Sequence, residues 1–195
     1  MDRIKLFTEA PHFLDTVICE AEKNNDTARQ LVEGLSDEQL NWKPEAKRWS
    51  MAQCLEHLAV ASGGFDSYFR ETIERARARW PTTRAVLYRP TFVGGLLIRQ
   101  VVPETTRRFP SPKIFKPSDS SAIHDALGIF LKQQTQFLSF VQESEGTDYN
   151  RARLRSPVTP LMRYSLADAF VVTIVHEHRH LGQAWRVRET PGFPN

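Results

Sequence analysis

Residues 165–187, SLADAFVVTIVHEHRHLGQAWRV, decide how the rest of the chain is read. Ser165 with Asp168 three positions on is a helix start, and the apolar run that follows is long enough for six turns. On a wheel of about 100° per residue, His180 falls about 40° from His176, whereas His178 falls about 160° away. His176 and His180 therefore share one face and can hold a single metal ion, while His178 points elsewhere and is no ligand. Ala169, Val172, Thr173, Gln183 and Val187 lie on the same face, so few charges compete there. Gln183 is placed either to fix an imidazole or to pack between helices. The run H-E-H-R-H is not taken as the metalloprotease pattern H-E-x-x-H; Glu177, about 100° round from His176, can act as a base only from the edge of such a site, and surface solvation is its plainer role.

A third histidine stands far upstream in residues 49–61, WSMAQCLEHLAVA. Ser50 and Gln53 form a capping box, so His57 lies two turns into a second helix, with Cys54, Ala61 and Phe65 near its face. Three neutral imidazoles from facing helices leave coordination positions open, as in a reactive rather than a structural metal site. Cys54 is a candidate fourth ligand or thiol, against which stands ordinary apolar packing. His12 and His124, at the starts of other helices, are read as incidental. There is no Ser-His-Asp order, phosphate loop or dinucleotide fingerprint.

Working outward, helical periodicity predicts a first long helix over residues 11–33, ended by Gly34, and a capped short turn from Ser36. The second long helix runs over 50–79, weakened at Gly63-Gly64, where a kink or the close approach of a neighbour is expected. Prolines at 81, 90, 103, 110, 112 and 117 mark a long crossover, with a short helix near 91–101 and an extended stretch, SPKIFKP. A third long helix is expected over 121–143; a loop, RSPVTP, then leads to the fourth. Strand signals are scarce. The fold class is all-α, a four-helix bundle with a long crossover between helices 2 and 3, forming one domain over 1–195.

Composition narrows the class further. The chain is 41% apolar and 25% charged, with a formal net charge of +3, as in ordinary globular proteins. Two cysteines make no disulfide framework, and no secretory leader or membrane-spanning run is found, so a cytoplasmic protein is expected. Nine arginines fall between Arg70 and Arg108, against Glu71, Glu74 and Glu104. They could draw an anionic substrate, but a solvated, locally paired surface is the simpler reading. Neither a nucleic-acid nor a membrane partner is expected.

Residues 35–59, LSDEQLNWKPEAKRWSMAQCLEHLA, and 176–183, HEHRHLGQ, together resemble the DinB-like, or YfiT-like, metal-binding superfamily of bacterial four-helix bundles. The resemblance spans nearly the whole chain. It implies that His57, His176 and His180 are three ligands of a divalent metal ion, zinc or nickel, and that the protein is a homodimer. Relatives include S-transferases of low-molecular-weight thiols such as bacillithiol and mycothiol, and a thiol-dependent isomerase. The expected activity is thus a metal-dependent thiol S-transferase or related detoxification enzyme acting on a small molecule, with Arg107 or Arg108 as anion-binding candidates. A metal-dependent hydrolase and a non-catalytic metal-binding or stress-associated module are the alternatives.

Overall fold

Three serine capping boxes start three of the helices. In the computed structural model, residues 3–103, 112–118, 122–159 and 161–194 are described. Ser36, Ser50 and Ser165 each accept a hydrogen bond from the backbone N–H three residues on, and the side chains of Gln39, Gln53 and Asp168 accept one from the backbone N–H of the cap. Each box satisfies two helix-end donors with four residues of local sequence. The helices are α1 (Arg3–Thr8), α2 (Phe13–Val32), α3 (Asp37–Asn41), α4 (Met51–Gly63), α5 (Asp66–Arg79), α6 (Phe92–Val101), α7 (Ala126–Glu143) and α8 (Leu166–Arg188).

The bundle is built from α2, α4 with its continuation α5, α7, and α8. Both α2 and α4 pack against α7 and against α8, so helices consecutive along the chain meet largely through the later pair. The expected helix over 50–79 is two helices, broken at Gly64 and Phe65. A Cβ on Gly64 would lie 2.6 Å from the Phe115 ring, so the glycine admits a turn of the crossover against α4. Both readings of the glycine pair, kink and close approach, hold.

The third long helix begins later than periodicity suggested. Asp125 adopts a left-handed conformation, φ 52°, and its side chain caps the N–H of Gly128, so α7 starts at Ala126. Ile123 is buried without being helical, its N–H bonded to Asn41 Oδ1. Where the sequence predicts a loop at RSPVTP, Arg155 ends a strand and residues 156–159 lead off a short hairpin, β1 (Arg153–Arg155) antiparallel to β2 (Arg163–Ser165); Pro160 lies outside the described residues. Three-residue strands are too short to show a period of two.

The crossover is anchored at the start of α8. Asp168 is fully buried and accepts hydrogen bonds from Tyr88 Oη at 2.8 Å, Thr91 Oγ1 at 2.7 Å and Ser165 N at 3.0 Å. A Cβ on Gly94 would sit 2.1 Å from the Asp168 carboxyl carbon, so only glycine lets α6 close on this carboxylate. Burial and the Asp168 charge both push the Tyr88 phenol upward, which keeps it a donor.

Two apolar clusters fill the bundle. One is aromatic, with Phe13, Phe69, Phe137, Phe140 and Phe170; the other holds Leu31, Met51, Leu55, Leu58, Phe130 and Leu181. Between them lies a polar layer of Asn24, Gln134 and Glu177, one residue each from α2, α7 and α8. Residues 176–180 of α8 stand at this level, after Val175 of the first cluster and before Leu181 of the second.

Candidate metal centre

Among the described residues, His57 of α4 meets His176 and His180 of α8, and one nitrogen from each lies within 4.8 Å of the others. The ring centroids are 4.6–5.0 Å apart, each pair edge-to-face. The two histidines of α8 that helical phase sets on one face are the two that meet His57. His178 is on the other side, its Nε2 3.5 Å from Glu20 Oε2 of α2.

Hydrogen bonding fixes which nitrogens face inward. His57 Nδ1 is 2.6 Å from the Phe115 carbonyl oxygen, which can only accept, so Nδ1 carries the proton and Nε2 a bare lone pair. His180 Nδ1 is 3.1 Å from Gln183 Oε1, which gives His180 the same tautomer. The bare Nε2 of His57 stands 3.3 Å from His176 Nε2. Two imidazole nitrogens on one tetrahedral ion with bonds of ~2.0–2.1 Å are separated by about 3.3 Å. Convergent lone pairs, those of His57 and His180 on rings whose outer N–H is already bonded, are the donor set a divalent cation requires, and these residues fit one.

Electrostatics keep the imidazoles neutral. Burial pulls His57 below its ordinary value, partly offset by the Phe115 carbonyl. Burial, then His57 and Arg179, lower His176 to about 3. His180 is depressed well below its ordinary value by burial and by His176, His57 and Arg179. Neutral imidazole is the ligating form, so the lone pairs stay available in mildly acid solution. Trp49, just before the Ser50 cap, walls the site: its ring centroid is 4.7 Å from that of His57 and 5.6 Å from that of His180.

Glu177 differs from expectation. It is 2% exposed, not solvated, and its Oε2 accepts from Asn24 Nδ2 at 2.8 Å and Gln134 Nε2 at 3.0 Å. The expectation that H-E-H-R-H is not the metalloprotease pattern is corrected by the residues themselves: 176–180 spell H-E-x-x-H, a pattern whose glutamate serves as a general base in metalloproteases. The geometry gives Glu177 another place, turned into the bundle seam, where burial pushes its carboxyl up to about 8. Cys54 is fully buried in the second apolar cluster, and burial drives its thiol up to about 12, so it packs rather than reacts. His124 is bonded to Asp37 Oδ2 at 2.7 Å, away from the triad. The anion-binding candidates Arg107 and Arg108 lie outside the described residues. Neither Trp49 nor the Phe115 carbonyl was named from sequence; the carbonyl is backbone and has no residue signature.

No curated protein matches the sequence. Among solved structures the fold is similar to that of YfiT from Bacillus subtilis, described as "a probable metal-dependent hydrolase with an unusual four-helix bundle topology". That likeness has a TM-score of 0.54 at 18% identity, covering 93% of this chain and 89% of the other. The profile of the DinB superfamily matches residues 20–184, nearly all of the bundle and all three histidines, and the chain belongs to that superfamily.

Proposed function

We propose that this chain is a divalent-metal-dependent enzyme that transfers the sulfur of a low-molecular-weight thiol to an electrophilic small molecule. His57, His176 and His180 hold the ion, zinc or nickel by family resemblance. The observation that carries the reading is the convergence of three neutral imidazoles without a carboxylate grouped with them among the described residues. When bound, the ion supplies Lewis acidity that lowers the pKa of a thiol or of water. The transfer itself would be a displacement in which the thiol gives its proton to solvent, its sulfur bonds to the electrophilic carbon, and the leaving group departs with the bonding pair. No protein base is needed. The chain's own part is to hold the tautomers through Phe115 and Gln183 and to close one side with Trp49. A cytoplasmic homodimer is the expected form, and no helix among the described residues is long and apolar enough to cross a membrane.

Hydrolysis is the second reading, supported by the H-E-x-x-H run and by the description of YfiT. It requires a base at the attacking water, and Glu177 serves only by leaving Asn24 and Gln134. Zinc- or nickel-loaded protein is assayed with an electrophile and a panel of thiols including bacillithiol, mycothiol and cysteine, beside an activated ester without thiol. Thiol-dependent turnover lost in His57→Ala is expected. Ester turnover lost in His57→Ala with no thiol dependence replaces the first reading with the second; no turnover in either assay removes both.

A further inference from the structure

The hairpin carries a surface that the metal centre does not use. Arg155 and Arg163 are directly opposed across the β1–β2 ladder, and Arg153 is two residues from Arg155 on the same face. All three are exposed, while Leu154 and Tyr164 between them point into the core. No ion pair engages these three guanidiniums among the described residues, and like charges directly opposed weaken a strand pair. At the turn of the same hairpin Leu161 is 94% exposed and Val158 45%. On α6, which packs against β2, Phe92 is 89% exposed. Charged residues often guard strand edges, but edge protection gives no reason to leave a leucine bare at the turn of the hairpin or a phenylalanine bare on the helix packed against it.

We propose that this face docks on an anionic lipid surface, with Leu161, Val158 and Phe92 entering the headgroup boundary and Arg153, Arg155 and Arg163 meeting the lipid phosphates and carboxylates. Charge complementarity selects the occupant. A second copy packed symmetrically on this face would set the arginine cluster against itself. Nucleic acid would answer the arginines and could stack on Phe92, but it gives Leu161 and Val158 at the turn nothing apolar to enter. A membrane interface answers both: apolar side chains gain burial, and basic groups gain the negative surface potential. The expectation of no membrane partner rested on the want of a spanning segment, which interfacial docking does not need.

The test is co-sedimentation of the full chain with phosphatidylcholine vesicles, with or without about one third phosphatidylserine, at low and high salt. Binding only to the anionic vesicles, released by salt, is expected. Each arginine is worth roughly fivefold, so the triple substitution Arg153→Gln, Arg155→Gln and Arg163→Gln weakens binding on the order of a hundredfold. Leu161→Ser weakens it about tenfold and leaves far-UV circular dichroism unchanged. Equal sedimentation with both vesicle types, or a triple variant that binds like the parent, overturns the proposal. So does arginine-dependent binding to duplex DNA without vesicle binding, or a dimer that Leu161→Ser splits while neither form sediments.

Discussion

Replacing Glu177 by glutamine should stabilise the metal-free protein at neutral pH and do progressively less as the solution is acidified. Glu177 is 2% exposed and its carboxyl is pushed from 4.5 to about 8 by burial, against the opposing pull of the Asn24 and Gln134 amides. A folded-state pKa above the unfolded value means that the folded chain holds a proton the unfolded chain has released. The stability this confers is complete below pH 4.5 and is lost as pH rises through about 8. At pH 7 the carboxyl therefore costs about 3 kcal/mol relative to its protonated form, and at pH 5 under about 1 kcal/mol. Glutamine keeps an oxygen for the two amide donors and cannot ionise, but its NH2 needs an acceptor. Failure to find one costs about 1–3 kcal/mol, independent of pH.

The diagnostic is therefore the slope of the difference rather than its value at one pH. The depressed histidines tilt the stability of both proteins in the opposite sense and cancel in the difference. Thermal unfolding of chelator-treated parent and Glu177→Gln should show the variant's midpoint, relative to the parent's, about 5–10 °C higher at pH 7 than at pH 5, whatever the pH-independent cost of the exchange. A difference in midpoint that stays constant from pH 5 to pH 8 refutes the reasoning: the carboxyl would then ionise in the fold as readily as in the unfolded chain.

Two further outcomes concern the support of the triad. Gln183→Leu removes the acceptor on His180 Nδ1 and should weaken zinc binding about 10–100-fold, whereas Gln183→Glu should strengthen it; titration calorimetry that ranks the two alike assigns Gln183 to packing alone. Gly64→Ala sets a Cβ 2.6 Å from the Phe115 ring and should displace the carbonyl that holds His57, with a loss of zinc affinity in the same range. Gly95→Ala, where a Cβ meets nothing within 4 Å, is the control that should bind zinc as the parent does.

How much of this was legible follows the range of the physics involved. The boxes at Ser36, Ser50 and Ser165 each close within four residues, so sequence located these starts. The choice of His176 and His180 over His178 needs only the helical angle. Glu177 needs more: its donors come from 153 and 43 residues away. A wheel tells which residues share a face but not how many faces are covered. Over Leu166, Ala167, Asp168, Ala169, Phe170 and Val171, α8 is buried all the way round, because α2, α4 and α6 pack on it and Phe137 of α7 reaches Phe170 across the core. Further along, His176, His178, Arg179 and His180 are only half-buried, and Glu177 is covered because it alone of that turn faces Asn24 of α2 and Gln134 of α7. The hairpin failed to appear for the opposite reason, strands of three residues carrying too little pattern.

The polar layer also accounts for how histidines from distant segments meet. Gln133 and Gln134 are consecutive on α7; one donates to Asp66 Oδ1 of α5 at 2.9 Å, the other to Glu177 Oε2 of α8 at 3.0 Å. A slide of α8 by one turn would strip Glu177 of its donors and set it against Phe130 or Phe137 of the flanking clusters, and an unpaired buried carboxyl costs several kcal/mol. A slide of α4 with α5 would break the Asp66 bond and drive Gly63 and Gly64 away from the side chains fitted over them, Gln133 and Phe115. The register of both ligand-bearing helices is thus read off a third, which contributes no histidine. Polar groups at a core seam can select one alignment among several of similar apolar burial. In this bundle the alignment selected is the one that brings His57 Nε2 within 3.3 Å of His176 Nε2.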